Sequence, residues 1–370
     1  MEVLTTAADP LAGYEHARSV LFASPGGTLL TRGAAARVTG ELAELAERPP
    51  EELGSGLAAG AIGFDGAAHL LVPATATWSG PLRPAPPPPP SARWWTRPVP
   101  HPSAYTRAVR LALAELEAGE LTKVVLARTL ELRSDEPVEP IEVVRPLLGH
   151  GYSFAVPLPG GRTLAGASPE LLVSRRGRQV LSNPLAGSAA RSDDPAVDSA
   201  RAAALLESAK DLHEHRLVVE AVAERLAPFC TELEVPGRPG LTATRTMWHL
   251  STPVSGTLRD PAPSSLALAA ALHPTPAVCG TPQPAARRLI ATLEPFDRGF
   301  YGGLVGWCDA AGDGEWAVAI RCAEIGEHTV RLYAGAGIVP GSVPEHELAE
   351  TTGKFRTMLG ALGAWPDALD

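Results

Sequence analysis

The sequence predicts an α+β fold of antiparallel β-sheets with flanking helices. Three observations lead there. Strands come in runs joined by tight Gly and Pro turns, as in residues 152–157, 163–167, 170–175 and 179–181. Helical periodicity gathers between those runs and near the end of the chain. Apolar residues make up 45% of the 370 positions and charged residues 20%, which is enough for a large core and too apolar for a disordered chain.

Residues 1–80 mix short apolar runs with turns. Val20 to Phe22 and Thr28 to Leu30 flank a Ser-Pro-Gly-Gly turn, residues 61–65 and 69–73 read as strands, and 37–48 reads as a helix. Residues 81–90 hold seven prolines, which favours an extended polyproline surface segment. Residues 105–118 carry apolar Val109, Leu111, Leu113 and Leu116 and read as a helix, ended by Gly119. Lys123 to Arg128 reads as a buried strand. Residues 201–227 read as one long helix, with shorter helices at 266–272 and 285–293. Strands follow at 304–309, 315–325 and 329–334, and 344–362 forms a closing helix.

Charge and cysteine usage narrow the function. Lys plus Arg total 32 against 41 Asp plus Glu, a net charge of −9 that argues against nucleic acid or an anionic membrane as partner. No apolar run reaches the ~18–20 residues of a membrane helix, and the first residues do not read as a secretory leader. Cys230, Cys279, Cys308 and Cys322 are scattered, which predicts reduced thiols and a cytoplasmic protein.

Four features carry possible chemistry. Asp211 and Glu214 lie three apart on one helix, as do Glu347 and Glu350 on another, with Lys354 four residues on. Carboxylates so spaced repel by about a few tenths of a kcal/mol per pair. Two such pairs meeting in space call for a cation, and hard oxygen ligands suit Mg²⁺; apart, they are solvated helix faces. Gly335 and Gly337, expected just past a strand, would let backbone approach a carboxylate closely. Arg321, expected among Ala317, Ala319 and Ala323 on one strand face, has room beside it that either another packed element or a ligand fills, and its guanidinium is suited to grip carboxylate twice. Lys123 at a strand mouth and Glu170 among apolar neighbours form a possible base and acid. For Lys123 to act near neutrality its pKa must fall from ~10.4 towards 7, whereas burial would raise that of Glu170.

Taken together these segments resemble the chorismate-utilising enzymes, most of all the siderophore-type isochorismate synthases. The likeness covers roughly residues 100–362. It rests on Lys123 to Arg128, Ser168-Pro169-Glu170, Asn183 to Ser188, Lys210 to His215 and Trp248-His249-Leu250. It continues through Leu272 to Gly280, Glu294 to Gly299, Tyr301 to Trp307, Tyr333 to Val339 and Glu350 to Lys354. The resemblance implies two packed antiparallel sheets with the active site in the cleft between them. Residues 1–100 would be a diverged part of the same globule and 101–370 the chorismate-binding domain. It implies Mg²⁺ and the conversion of chorismate to isochorismate. By matching motif, Lys123 is the base that activates water and Glu170 the acid that protonates the departing hydroxyl. Glu214 and Glu350 bind the metal directly, with Asp211 and Glu347 direct or through water. Arg321, Tyr333 and the Gly335 backbone hold the enolpyruvyl carboxylate. Lys354, Ser188, Ala277 and His249 line the site.

The same resemblance separates subclasses. Ammonia-using relatives lack the lysine at Lys123, and one type of aminodeoxychorismate synthase carries a lysine where this chain has Ala186. Water is therefore the expected nucleophile, with no covalent lysine adduct and no glutaminase partner, and the family implies a monomer. The alternative is a salicylate synthase, which goes on to release pyruvate. A non-catalytic docking protein would be expected to lack one of Lys123, Glu170, Glu214 and Glu350, and all four are present.

Overall fold

Every strand pairing in the computed structural model, which describes residues 9–49, 52, 56–87 and 92–364, is antiparallel. The frame is a long hairpin of Gly27–Glu41 with Ala67–Ser79, in register from Thr28 opposite Ser79 to Glu41 opposite Ala67. Leu21–Ser24 joins one end of it, beside residues 27–30. Leu57–Ile62 joins the other, beside residues 68–71. A register shift between Ala34 and Ala36 lies between the two ends, and such a shift bends a strand. Two sheets thus hang from one hairpin.

The first sheet runs from Leu21–Ser24 through Tyr152–Pro157, Thr163–Ser168, Cys322–Ile325 and Thr329–Ile338 to Lys123–Ser134. Trp94–Val99 and Gly280–Thr281 line its far edge. The second runs from Leu57–Ile62 through Leu304–Asp309, Gly314–Val318, Leu171–Arg176, Gln179–Asn183 and Val254–Leu258 to Cys230–Glu234. Phe22, Phe154, Val305, Ala317 and Tyr333 fill the space between; burying each large apolar side chain contributes ~1.5–3 kcal/mol. Helices Ala209–Leu226 and Ser265–Leu272 cover the second sheet. Pro344–Leu362 covers the first, and Pro102–Glu117 and Gln283–Leu293 flank the Lys123–Ser134 strand. A small sheet of Leu185–Ala190, Met247–Ser251 and Gly240–Ala243 stands apart.

The chain crosses between the two large sheets at two adjacent corners. One is 168–171, between strands Thr163–Ser168 and Leu171–Arg176; the other is 318–322, between Gly314–Val318 and Cys322–Ile325. Backbone hydrogen bonds tie the corners together: the Ala167 N–H donates to the Arg321 carbonyl at 3.1 Å, and the Val318 N–H to that of Glu170 at 3.1 Å. Glu170 and Arg321 therefore arrive side by side from distant parts of the sequence.

Four expectations are corrected. The helix expected at 201–227 is two, Pro195–Glu207 and Ala209–Leu226, broken at Ser208, which is extended and caps the second. The strand expected at 315–325 breaks at the second corner, where Arg321 has φ of 50°; simple alternation does not place its side chain. Gly335 and Gly337 lie inside Thr329–Ile338, not past its end. In the 37–48 segment the strand continues to Glu41 and only Leu42–Ala46 is helical. In the proline-rich segment residues 81–87 have no regular structure, and 88–90 lie outside the described residues. All four cysteines are buried free thiols. Among the described residues no helix is long and apolar enough to cross a membrane.

Candidate active site

The two corners open into a small cavity, about 60 Å³, at one end of the space between the sheets. Glu170 and Arg321 supply one wall. Val125, Gly335 and Gly337, from two paired strands of the first sheet, supply another. The small sheet contributes Ser188 and His249, and Ala277 and Tyr301 come from loops. The two carboxylate-bearing helices close it with Glu214, Glu350 and Lys354.

Lys123 is fully buried and sits behind Glu214, with Nζ 2.9 Å from Glu214 Oε1. This is an ion pair without hydrogen-bond alignment, and Nζ has no hydrogen-bond acceptor among the described residues. The strand between them must be bare: a Cβ on Gly337 would lie 2.0 Å from Glu214 Oε1 and 3.1 Å from Lys123 Cε. Gly335 is equally constrained, because a Cβ there would stand 2.7 Å from the Tyr301 hydroxyl. Glycine at these positions is a demand of close approach.

Glu170 is 2% exposed, and burial pushes its carboxyl up to about 7 despite a backbone hydrogen bond at Leu185 and the charges of Lys123, Arg321 and Lys354. It is the carboxylic acid of the site that keeps its proton near neutrality. Arg321 is buried too, and desolvation lowers its pKa. Its Nη2 reaches only to 3.5 Å from His249 Nε2, and its Nε has no partner among the described residues. A buried guanidinium with an idle N–H is prepared for an anion. Burial and the Arg321 charge keep His249 well below its usual value, hence neutral.

The acidic residues face one another across the two helices, and each alters the titration of its neighbours. Burial and then the charge of Glu350 raise Glu347. Burial opposes the charge of Glu350 as well, but Lys354, Lys210 and Ser188 hold it below the usual carboxylate range. Asp211 is raised by burial and by Glu214 and Glu350, against a hydrogen bond from Ser208. Lys210 Nζ bonds Glu347 Oε1 at 2.7 Å, Lys354 Nζ lies 2.5 Å from Glu350 Oε1, and Ser188 Oγ donates to the same oxygen at 3.1 Å. Lys354 also donates to the Gly335 carbonyl at 2.8 Å. With Glu214, Glu347 and Glu350 each engaged by a lysine, no three metal-ligating side chains among the described residues form a ready cage. The donor set is nevertheless all hard oxygen, the kind that suits Mg²⁺.

Placement divides the expected residues. Glu170, Ser188, Glu214, His249, Ala277, Arg321, Gly335, Glu350 and Lys354 line the cavity. Lys123, Asp211 and Glu347 stand immediately behind that lining. Tyr333 is not in the lining: its ring stacks behind Tyr301, centroids 5.1 Å apart and planes 6° apart. Three features of the site were given no specific contact by the sequence. Lys210 occupies Glu347, Tyr301 forms wall, and the buried Arg298–Glu294 pair ties the wall together. Glu294 accepts the Ala127 N–H at 2.7 Å, and Arg298 bonds the carbonyls of Val125 and Val278 at 2.8 and 2.7 Å. All three stand in the motifs that carry the resemblance, but their contacts are tertiary.

Comparison with known proteins shows the family and the fold. The chorismate binding enzyme family matches residues 75–363. Isochorismate synthase DhbC of Bacillus subtilis (strain 168) is 55% identical over 321 residues, spanning 83% of this chain and 81% of that one. A crystal structure from Bacillus anthracis, named as a 2,3-dihydroxybenzoate-specific isochorismate synthase, DhbC, is 47% identical. It superposes with a TM-score of 0.90, covering 96% of this chain and 99% of that one. Anthranilate synthase component I from Streptococcus pneumoniae TIGR4, at 21% identity, shares the fold with a TM-score of 0.74 over 97% and 95% of the two chains. The matched span, the identities and the shared sheet architecture together make this chain a member of the chorismate-binding enzymes.

Proposed function

We propose that the protein is an isochorismate synthase, an isomerase that adds water to ring carbon 2 of chorismate, expels the carbon 4 hydroxyl and shifts the double bonds. The observation that carries this reading is Glu170, a buried carboxyl held protonated near pH 7 in one cavity with Arg321 and beside Lys123. Lys123, once released from its ion pair with Glu214 and neutral, takes a proton from the incoming water as its oxygen bonds carbon 2. Glu170 gives its proton to the hydroxyl leaving carbon 4, which departs as water, so the atoms balance as an isomerisation. Arg321, through its idle N–H, holds the enolpyruvyl carboxylate, with the Gly335 backbone alongside. Tyr333 acts from behind by fixing the Tyr301 ring. Ser188, His249, Ala277 and Lys354 shape the remaining wall.

Mg²⁺ is the cofactor of this reading, held by Glu214 and Glu350 with Asp211 and Glu347 beside them. When bound it supplies positive charge for the ring carboxylate. The net charge of −9 makes such local reversal of sign necessary for a dianionic substrate. The enzyme works as a single chain, without a glutaminase subunit, in the cytoplasm, and its product feeds a siderophore built on 2,3-dihydroxybenzoate or salicylate. A relative named for 2,3-dihydroxybenzoate supports that placement.

Product analysis tests the reading. Chorismate with Mg²⁺ should give isochorismate without pyruvate, excess chelator should abolish turnover, and glutamine or ammonia should give no aminated product. Pyruvate released as fast as chorismate disappears would reassign the chain to salicylate synthase.

A further inference from the structure

The strand Trp94–Val99 forms part of the first sheet's edge and has no role in the site just described. Trp95 stands opposite Arg133 and Arg97 opposite Glu131, while Glu131 faces Arg331 on its other side. Side chains alternate along strands, so these residues share the face that farther along carries Ala127 and Tyr333 into the core between the sheets. Here no described residue covers the face. Trp95 is 56% exposed, and the surface dips into a groove of about 380 Å³, within the range of small-molecule sites.

The groove reverses the sign of the molecule. Arg162 and Glu324 complete its charged lining, which carries two more positive than negative groups on a chain of net charge −9. Arg97 and Arg331 share one carboxylate, Glu131, with Arg331 at 3.0 Å. Arg162 lies 2.5 Å from Glu324. Arg133 has no ion-pair partner among the described residues.

We propose that this groove is a second binding site, for a small cyclic dianion whose ring rests on Trp95 and whose carboxylates pair with Arg133 and with Arg97 or Arg331. Arginine presents a planar fork matched to carboxylate, and an exposed indole face offers a stacking surface. The two surplus charges match a dianion. The site also has a physical route to the catalytic cavity. The Arg331 side chain contacts the Tyr333 hydroxyl, the Tyr333 ring stacks on Tyr301, and Tyr301 lines the cavity against Gly335. A ligand that draws Arg331 off Tyr333 shifts a wall of the active site.

Titration calorimetry with phthalate, an unreactive planar dianion, tests the proposal without turnover, so it stands or falls apart from the assigned reaction. Phthalate should bind, benzoate should bind more weakly, and Arg133→Gln and Trp95→Leu should each weaken phthalate about tenfold, the loss of one charge-assisted or stacking contact. Both variants should keep the turnover of the parent when phthalate is absent. Phthalate that fails to bind, or binds equally well to both variants, overturns the site. A further arm identifies the natural occupant. Two chorismates bound per Glu170→Gln chain assign the groove to the reaction's own dianions. One chorismate, with groove-bound phthalate retained, assigns it to another cyclic dianion.

Discussion

A carboxyl that stays protonated at neutrality limits the pH range in which it can act as an acid. For Glu170 the folded value of about 7 lies above its ordinary 4.5, with burial as the leading cause. The proton is therefore present below pH 7 and lost as pH rises through it. Turnover should fall on the alkaline side with an apparent pKa near 7, and a pH–rate profile of Glu170→Gln should lack that limb and lie about 10²–10⁴-fold lower. Stability follows the same sign: this group's favourable contribution is complete below 4.5 and drains away as pH rises to about 7. Glu170→Gln should thus unfold no more easily than the parent at pH 8. The apolar neighbours of Glu170 and the strand-mouth position of Lys123 made both legible in the sequence. Arg321 was legible as a residue but not as a conformation, because alternation along an unbroken strand hides a corner with positive φ. Lys354 beside Glu350, four apart on one helix, was legible; the pairing of Lys123 with Glu214 and of Lys210 with Glu347 was not, since it depends on which elements meet.

At the scale of elements, Ser208 shows what periodicity misses. Apolar residues recur across 201–227 as in a continuous helix, yet Ser208 is extended and its side chain accepts the Asp211 N–H at 3.3 Å. The signal was in the sequence, a serine three residues before an acidic residue, which is a helix-start signature. Ser208→Ala should cost ~1 kcal/mol of stability, read from the denaturation midpoint, and should free the Asp211 carboxylate from its hydroxyl partner. The strand Thr329–Ile338 makes the complementary case. Gly337→Ala puts a methyl group onto Glu214, so that variant should lose most activity while circular dichroism stays that of the parent. A dipeptide pattern of glycines suggested backbone near a ligand; the first thing it admits is a neighbouring helix's carboxylate.

For the whole molecule, two antiparallel sheets with outer helices were legible because strands come in runs joined by short turns. The partnership of residues 1–100 with the rest came only from the family resemblance, because strand pairing across long separations leaves no local pattern. Leu21–Ser24 pairs with Tyr152–Pro157, and Leu57–Ile62 with Leu304–Asp309. We propose on this ground that 1–100 and 101–370 form one folding unit. A fragment of 101–370 should then fail to fold, giving no cooperative thermal transition and no chorismate turnover, whereas an independently folding domain would melt sharply.

The same long hairpin sets a schedule. As the protein emerges from the ribosome, Leu57–Ile62 carries an open edge until Leu304–Asp309, far along the chain, has been translated. Nascent chains hold that half-built sheet throughout this interval, which makes this edge the place where a chaperone would be most needed.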